Sequence, residues 1–208
     1  ALGKLPWRNR RAWLLVILFG TQSGLYYSVV AWLAPFAMSR GMSEAEAGSL
    51  MMVFSMFSIP CGLILPHLMR LFGNRRKPWL IGSALTLLAG LLCMIVPWSV
   101  NPWIYTSFLG IGLGALFNVM LILPLDETDN PYEANAWSSM MQGGGYVLSG
   151  LIPVLAGFIR DRSGDFGATL AFMITVCLVL LFFSFFLRDA RSLVILTGKR
   201  GKEKMDPA

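Results

Sequence analysis

Positive charges in this chain of 208 residues lie almost entirely on one side of six long apolar stretches. Threading the stretches back and forth across a bilayer brings the basic clusters at 4–11, 70–77 and 188–204 to the same side. Because Lys and Arg resist translocation, that side is the cytoplasmic one, and both termini lie on it. The pattern predicts an integral membrane bundle of defined orientation. The basic residues on the other side are Arg40, Arg160 and Arg162.

Composition also favours a membrane location. Charged residues make up 13% of the chain, against about 25% in soluble domains. Each stretch is close to the roughly 20 residues that a helix needs to cross the hydrocarbon core, whereas surface helices of a soluble bundle would show a polar face. We therefore predict an all-α fold with a cytoplasmic segment at 1–11, a six-helix membrane region at 12–187 and a basic cytoplasmic tail at 188–208. The predicted spans are 12–38, 46–69, 78–98, 103–125, 134–159 and 167–187.

The net charge of +6 is explained by this topology. The basic residues flank the spans, where they fix orientation and meet anionic lipid headgroups. We therefore predict that the lipid bilayer is a partner of the protein and that nucleic acid is not.

Helix-end signals bracket short loops between the spans. Ser43 and Glu46 form a capping box at the start of the second helix. Pro78, Pro102 and Pro131 stand at first helical positions, and the last two follow an Asn cap. Such short loops predict that helices adjacent in sequence run antiparallel.

Glycines are concentrated in the first, fourth and fifth spans. Gly20 and Gly24 lie in the first, and further glycines fall within 110–114 and 143–145. Small residues at four-residue spacing let helices approach closely, so we expect tight helix contacts at these positions.

Large polar side chains occur in the middle of the same three spans. In lipid, such groups face the bundle interior or a water-filled cavity, so we predict that they line one cavity and offer phenol, indole and amide groups to a small-molecule substrate. The alternative is that they serve as hydrogen bonds between helices. The candidate binding residues are Gln22, Tyr26, Tyr27, Trp32, Asn118, Gln142 and Tyr146. Ser23, Ser138 and Ser149 lie nearby, and we expect them to bond to their own helices.

No pattern in the chain indicates catalytic, metal or cofactor chemistry. Cys61, Cys93 and Cys177 lack CxxC spacing, and a lone histidine, His67, does not form a metal site. No Lys, Arg, Asp or Glu falls at the predicted middle of the membrane. We predict that the protein is not an enzyme and has no catalytic residue, metal or cofactor. A proton-coupled site usually contains an ionisable residue at this depth, so such a group would lie elsewhere in the full protein.

Six helices with both ends in the cytoplasm resemble one half of a major facilitator superfamily transporter. The loop from Pro66 to Arg76 resembles the cytoplasmic loop motif of that superfamily, since Gly73 and the pair Arg75-Arg76 match it. Pro66 and Arg70 stand where the motif has a glycine and an acid.

A closer resemblance is to the C-terminal half of the cyanate and 2-nitroimidazole transporter family. Three stretches carry it, at 26–50, 138–146 and 153–164, and the similarity extends from about Trp13 to about Leu187. The pair Tyr26-Tyr27 and the Gln-x-x-Gly-Tyr sequence that ends at Tyr146 are its most specific parts.

The resemblance implies spans seven to twelve of a twelve-span carrier of the bacterial inner membrane. That half consists of two three-helix inverted repeats, and its first, second, fourth and fifth helices line the cavity. The implied function is secondary transport of a small polar or anionic solute, cyanate-like or nitro-aromatic, by alternating access. The implied partner is a missing N-terminal six-helix half, and a proton or another coupling ion is left open. The absence of an initiating Met leads us to expect a fragment or a processed form.

Two alternatives stay open from the sequence. The first is a carrier for efflux of larger apolar drugs, with an adaptable wall of flexible apolar side chains. The second is a membrane interaction module that transports nothing. The residues of the proposed drug-binding wall are Met51, Met52, Phe54, Met56 and Phe57.

Overall fold

The computed structural model describes residues 4–71, 75–96, 100–128 and 130–187, and this part of the chain forms six α-helices and no strand. Each helix is long and apolar enough to cross a membrane. The predicted all-α fold with six membrane helices is therefore confirmed. The helices are α1 (Arg10–Ser39), α2 (Glu44–Leu71), α3 (Lys77–Ile95), α4 (Pro102–Asp126), α5 (Pro131–Ser163) and α6 (Phe166–Ser184).

The helices differ from the predicted spans at their ends. α5 begins three residues before the predicted span 134–159 and continues four residues beyond it. Its first and last turns are polar, so a span predicted from apolar residues left them out. How much of each helix lies in the hydrocarbon core stays a prediction, as does the division at residues 11 and 187. The predicted tail at 188–208 and the loop glycine Gly73 lie outside the described residues.

Side-chain caps fix the ends of several helices. In the predicted capping box, the Glu46 carboxylate accepts a hydrogen bond from the Ser43 backbone N–H at 2.9 Å, and the Glu46 N–H donates to Ser43 Oγ at 3.4 Å. Asn101 and Asn130 cap α4 and α5, each of which starts with proline. Gly164 ends α5 in the left-handed conformation that glycine favours, with φ of 74°. Because these caps end one helix or start the next within a few residues, the turns between the helices are short.

Glycines let α1 and α5 pack closely as parallel neighbours. A Cβ atom on Gly20 would lie 2.7 Å from the Leu148 side chain, and one on Gly24 would overlap the side chain of Ile152. The contacts advance in the same direction along both helices, so the helices run parallel. Larger residues at these two positions would force the helices apart.

The same kind of contact joins α2 and α4. A Cβ atom on Gly110 would lie 2.6 Å from the backbone oxygen of Phe54, and one on Gly114 would overlap the backbone of Ser58. These helices also run parallel. In an arrangement of two three-helix repeats, α4 and α2 are the counterparts of α1 and α5, so both repeats use one type of glycine contact.

Ionic and polar contacts tie together the end of the bundle where α1 and α3 begin and α4 and α6 end. Arg76 pairs with Asp126 at 2.6 Å, and Arg11 pairs with Glu127 at 3.0 Å. The Lys77 ammonium donates a hydrogen bond to the Phe185 carbonyl at 2.7 Å. We call this end of the bundle the basic end.

Burial differs strongly between the helices. α1 and α4 are the most buried, whereas α2 and α5 are the most exposed. α3 packs against α4 and α6 at the periphery. α2 and α5 therefore each carry a stripe of exposed apolar side chains. These stripes contain Met52, Met56, Ile59 and Leu63 in α2, and Val147, Leu151, Val154 and Phe158 in α5.

Candidate functional site

A cavity of about 330 Å³ lies between α1, α2, α4 and α5, and its lining residues come from the middle of each helix. We call it the central cavity. The close parallel packing of α1 with α5 and of α2 with α4 brings these four helices around it. Of the predicted site residues, it is lined by Gln22, Tyr26, Tyr27, Asn118 and Tyr146.

Tyr26 and Tyr27 form the aromatic wall that α1 contributes. Their rings meet edge to face, with centroids 5.7 Å apart and planes at 82°. Tyr26 also lies 5.7 Å from the ring of Phe54, which is fully buried and so fixes the position of the wall. Tyr27 is 44% exposed and lines the cavity.

Tyr146 is the residue that α5 contributes to the lining. Its ring packs edge to face on Phe19, with centroids 5.2 Å apart. The neighbouring Gly145 makes this possible, because a Cβ atom there would lie 2.5 Å from the Phe19 ring. Tyr146 is also 44% exposed, like Tyr27.

Two amides complete the polar lining. Gln22 is almost fully buried, and its Oε1 accepts a hydrogen bond from Ser23 Oγ at 3.1 Å. Asn118 Nδ2 donates to the Gly114 carbonyl at 2.8 Å, and the amide packs against Gly62 of α2. Both amides are thus held in fixed orientations before any solute binds.

The phenol groups of Tyr26, Tyr27 and Tyr146 make no hydrogen bond to any residue in the described part of the chain. If these tyrosines served to join helices, their hydroxyls would bond across a helix interface. Because these hydroxyls make no such bonds, the cavity-lining interpretation of the three tyrosines is favoured over the helix-joining one. Ser149 does bond to its own helix, through the Tyr146 carbonyl at 2.9 Å, as expected.

Trp32 and Gln142 do not line the central cavity. Trp32 lies five residues beyond Tyr27, about 7–8 Å further along α1. Its Nε1 donates to the Pro153 carbonyl at 3.5 Å, and its ring packs on Gly157. Gln142 is half-buried, one turn before Tyr146. Polarity indicated these two residues, but the cavity spans only about two turns of α1, α2 and α4, and Tyr146 is the one lining residue from α5.

Several lining residues have no large polar group, and polarity did not reveal them. Gly62 leaves room for the Asn118 amide. The ring of Phe117 packs against the ring of Phe19, with centroids 6.2 Å apart. The resemblance to the superfamily indicated only which helices line the cavity, namely the first, second, fourth and fifth. The lining residues outside the prediction are Ser23, Ser58, Ile59, Gly62, Leu113, Gly114 and Phe117.

No charged residue lines the central cavity within the described part of the chain. The ion pairs of that part lie at the basic end. At the opposite end, the guanidinium groups of Arg40 and Arg160 sit over the rings of Phe36 and Phe166, at 5.2 and 4.5 Å from their centroids. The cavity is therefore an uncharged site made of phenols, amides and apolar groups.

Six helices that can span a membrane, four of which enclose an uncharged cavity at mid-height, are the architecture of a multi-pass membrane protein. A family model described as Major Facilitator Superfamily matches residues 2–150, and the chain belongs to that superfamily. The superfamily consists of membrane transporters and not of enzymes. This membership confirms the resemblance to the superfamily that was drawn from the six helices and the loop motif.

The chain is also similar in sequence to individual bacterial transporters. It is 32% identical to the cyanate transport protein CynX of Escherichia coli (strain K12) over 75% of its length, and 28% identical to the 2-nitroimidazole transporter of the same organism over 79%. It is 26% identical to the uncharacterized transporter YycB of Bacillus subtilis (strain 168) over 84%. The chain covers 40%, 41% and 43% of these three proteins, respectively, and so spans less than half the length of each.

Proposed function

We propose that the chain forms the C-terminal half of a secondary transporter that moves a small polar or anionic solute across the bacterial inner membrane by alternating access. The observation that supports this most is the central cavity, which is lined by three phenols that have no hydrogen-bond partner among the described residues. A solute that enters from water needs replacement partners for its lost hydration, because an unpaired buried polar group is costly. Phenols and amides supply them.

The tyrosines and amides have separate roles in this proposal. Tyr27 and Tyr146 donate hydrogen bonds to acceptor atoms of the solute, because their phenols are exposed in the cavity. Tyr26 supports Tyr27 by ring packing, and Asn118 offers its Oδ1 as an acceptor while its Nδ2 is held by Gly114. Gln22 lies deeper and contributes its amide. If the solute is an anion, the compensating positive charge comes from the other half.

The solute class rests on the cavity and on the relatives together. Two relatives are named for cyanate and 2-nitroimidazole, which are small molecules rich in acceptor atoms. A cavity of about 330 Å³ with phenol donors suits such molecules. Drug efflux has less support, since none of its five proposed wall residues lines the central cavity.

A counterflow experiment tests the solute class. The full-length natural protein is placed in proteoliposomes loaded with unlabelled cyanate, 2-nitroimidazole or a bulky apolar cationic drug, and exchange with the labelled compound is followed. We expect exchange for at least one small solute and none for the drug. Exchange of the drug alone would replace our proposal by the efflux alternative.

We propose that the basic end faces the cytoplasm and that a second six-helix unit covers the exposed stripes of α2 and α5. Because no Lys, Arg, His, Asp or Glu lines the cavity in the described part of the chain, we place any coupling group for a proton or another ion in that second unit. The alternative without transport predicts a natural protein without such a unit, which its intact mass would reveal.

A further inference from the structure

The Asn118 amide in the lining of the central cavity lies between two glycines. Its Nδ2 donates a hydrogen bond to the carbonyl of Gly114, four residues earlier on α4, at 2.8 Å. A Cβ atom on Gly62 of α2 would lie 2.8 Å from the same Nδ2 and 3.4 Å from Oδ1. A larger residue at position 62 would push the amide away, so glycine there keeps it in place.

The chemistry of the Gly114 carbonyl fixes which end of the amide meets it. Turning the Asn118 amide over would set Oδ1 against the carbonyl oxygen, and neither oxygen carries a hydrogen to share. Gly114 packs against the backbone of Ser58, where an added Cβ atom would overlap it, so α4 lies close to α2 at this level. Oδ1 accepts no hydrogen bond from any residue in the described part of the chain.

Asn118 Oδ1 differs from the phenols of the lining in what it can bind. A phenol hydroxyl either donates or accepts a hydrogen bond, whereas a carbonyl oxygen can only accept one. Tyr27 and Tyr146 can therefore adjust to either kind of solute atom, but Oδ1 cannot. When a solute displaces water from Oδ1, the oxygen is left unpaired, at a cost in binding, unless the solute supplies an N–H or O–H group.

We propose that the central cavity selects solutes that carry an N–H or O–H donor, and that a weakly acidic solute binds in its neutral, protonated form. The donor bonds to Asn118 Oδ1, while acceptor atoms of the solute take hydrogen bonds from Tyr27 and Tyr146. This donor requirement rests on the proposed transport function and names the class of solute for it.

Ionisation of the solute works against this arrangement in two ways. Loss of the proton removes the donor and turns a lone pair toward Asn118 Oδ1, which repels it. The negative charge is also costly to bury, and no Lys, Arg or His lines the cavity in the described part of the chain. A cationic group in the second six-helix unit would offset the cost of the charge but would not restore the donor.

Equilibrium dialysis of the purified full-length natural protein tests the donor requirement, with 2-nitroimidazole and its N-methyl derivative as probes. The two compounds share the ring and the nitro group, and the methyl group of the derivative replaces the N–H. We expect 2-nitroimidazole to bind about fivefold more tightly, an effect in the range of one hydrogen bond. Equal affinities of the two compounds would overturn the proposal.

The same two probes separate ionisation of the solute from ionisation of the protein. At one pH unit above the pKa of 2-nitroimidazole, its apparent Kd should rise about tenfold, because only about one molecule in ten keeps the N–H proton. The N-methyl derivative has no such proton and should bind equally at both pH values. The titratable groups that line the cavity in the described part of the chain are Tyr26, Tyr27 and Tyr146, and their ionisation would change the binding of both probes. Binding of 2-nitroimidazole that stays constant or tightens as it ionises would overturn the proposal.

Asn118→Leu tests the partner of the donor, since leucine has a similar branched shape but no polar side-chain atom. The preference for 2-nitroimidazole over its N-methyl derivative should fall below about twofold. Asn135→Leu is the control and should keep the preference, because Asn135 is exposed near the start of α5 and lies outside the central cavity. A full preference in a folded Asn118→Leu protein would refute the role of Asn118. If this variant does not fold, the two experiments on the natural protein decide.

The donor requirement and the proposed transport function fail in different ways. Cyanate is an anion without a donor, so exchange of cyanate alone in the counterflow experiment would keep the small-solute carrier and overturn the donor requirement. Equal binding of the two nitroimidazoles would have the same meaning. If neither nitroimidazole binds at any pH and neither small solute exchanges, the proposed solute class is wrong and the donor requirement falls with it.

Discussion

Tyr27 is the residue whose side chain most clearly separates a binding role from a packing role. Its ring contributes to the Tyr26 pair, whereas its hydroxyl bonds to nothing in the described part of the chain. Tyr27→Phe therefore removes the hydroxyl group and keeps the aromatic ring. We expect the apparent KM for the transported solute to rise about 2–12-fold, the range for one hydrogen bond of about 0.5–1.5 kcal/mol, with little change in thermal stability.

Tyr132→Phe is the matched control for this experiment. Tyr132 is 67% exposed at the start of α5 and lies outside the central cavity. The Tyr132→Phe substitution should leave both the apparent KM and the thermal stability unchanged. If Tyr27→Phe behaves like Tyr132→Phe in proteoliposome uptake, Tyr27 does not contact the solute.

Polarity in the sequence predicts which residues face the interior, but it does not predict their partners. It correctly brought Gln22 and Asn118 to one cavity, because large amides in lipid avoid the acyl chains. It also pointed to Trp32, whose indole instead bonds to the Pro153 carbonyl. Depth along a helix and the contact of a neighbouring helix decide between these outcomes, and a single sequence specifies neither.

At the scale of the helices, the glycine contacts carry the packing of α2 on α4. Gly110→Ala puts a Cβ atom 2.6 Å from the Phe54 carbonyl oxygen, and a backbone atom cannot rotate away. We expect a loss of about 1–3 kcal/mol, typical of overpacking, measured as a lower thermal midpoint of the purified protein. A midpoint equal to that of the natural protein would contradict this account of the α2–α4 contact.

Gly150→Ala provides the comparison for Gly110→Ala. A Cβ atom on Gly150 meets nothing within 4 Å, so the alanine brings only its better helix propensity, worth up to about 1 kcal/mol. We expect an unchanged or slightly higher thermal midpoint. The two substitutions are chemically identical, and their difference isolates the helix contact.

The two ion pairs at the basic end differ in burial, and this difference leads to a second prediction at the scale of the helices. The side chains of Arg76 and Asp126 are 12% and 23% exposed, whereas Arg11 is 51% exposed beside Glu127. Asp126→Asn removes the carboxylate that pairs with a largely buried guanidinium and should cost about 1–3 kcal/mol of stability. Glu127→Gln should cost less than about 1 kcal/mol. Thermal unfolding of both variants at one salt concentration gives the comparison, and equal losses would contradict it.

Helix identity and helix ends follow from local sequence, whereas helix neighbours do not. Apolar length predicted six helices, and the Ser43–Glu46 capping box predicted where α2 starts. The parallel pairing of α1 with α5 joins residues far apart in the chain. Gly20 and Gly24 indicate a close contact, but the partner Leu148 carries no signal in the sequence that would identify it.

At the scale of the whole molecule, our proposal makes the described bundle one side of a transport pathway. The central cavity is lined by α1, α2, α4 and α5 of this chain, and α2 and α5 expose apolar side chains such as Leu63 and Val147, at 80% and 75%. An alternating-access carrier needs a second unit that moves against the first around the site. The length of the relatives, of which this chain covers 40–43%, leaves room for one.

We therefore predict that the 208-residue chain alone, reconstituted in liposomes, binds solute weakly and takes up none, whereas the full-length natural protein transports it. The physical reason is that half of the solute's contacts and the whole of the opposing gate would be missing. The intact mass of the natural protein decides which comparison is meaningful. A mass near twice the 23.0 kDa of this chain supports a two-unit carrier. A mass near 23 kDa together with measurable uptake would instead require two copies of this chain around a two-fold axis, and the roles of Tyr27 and Tyr146 would then be shared between them.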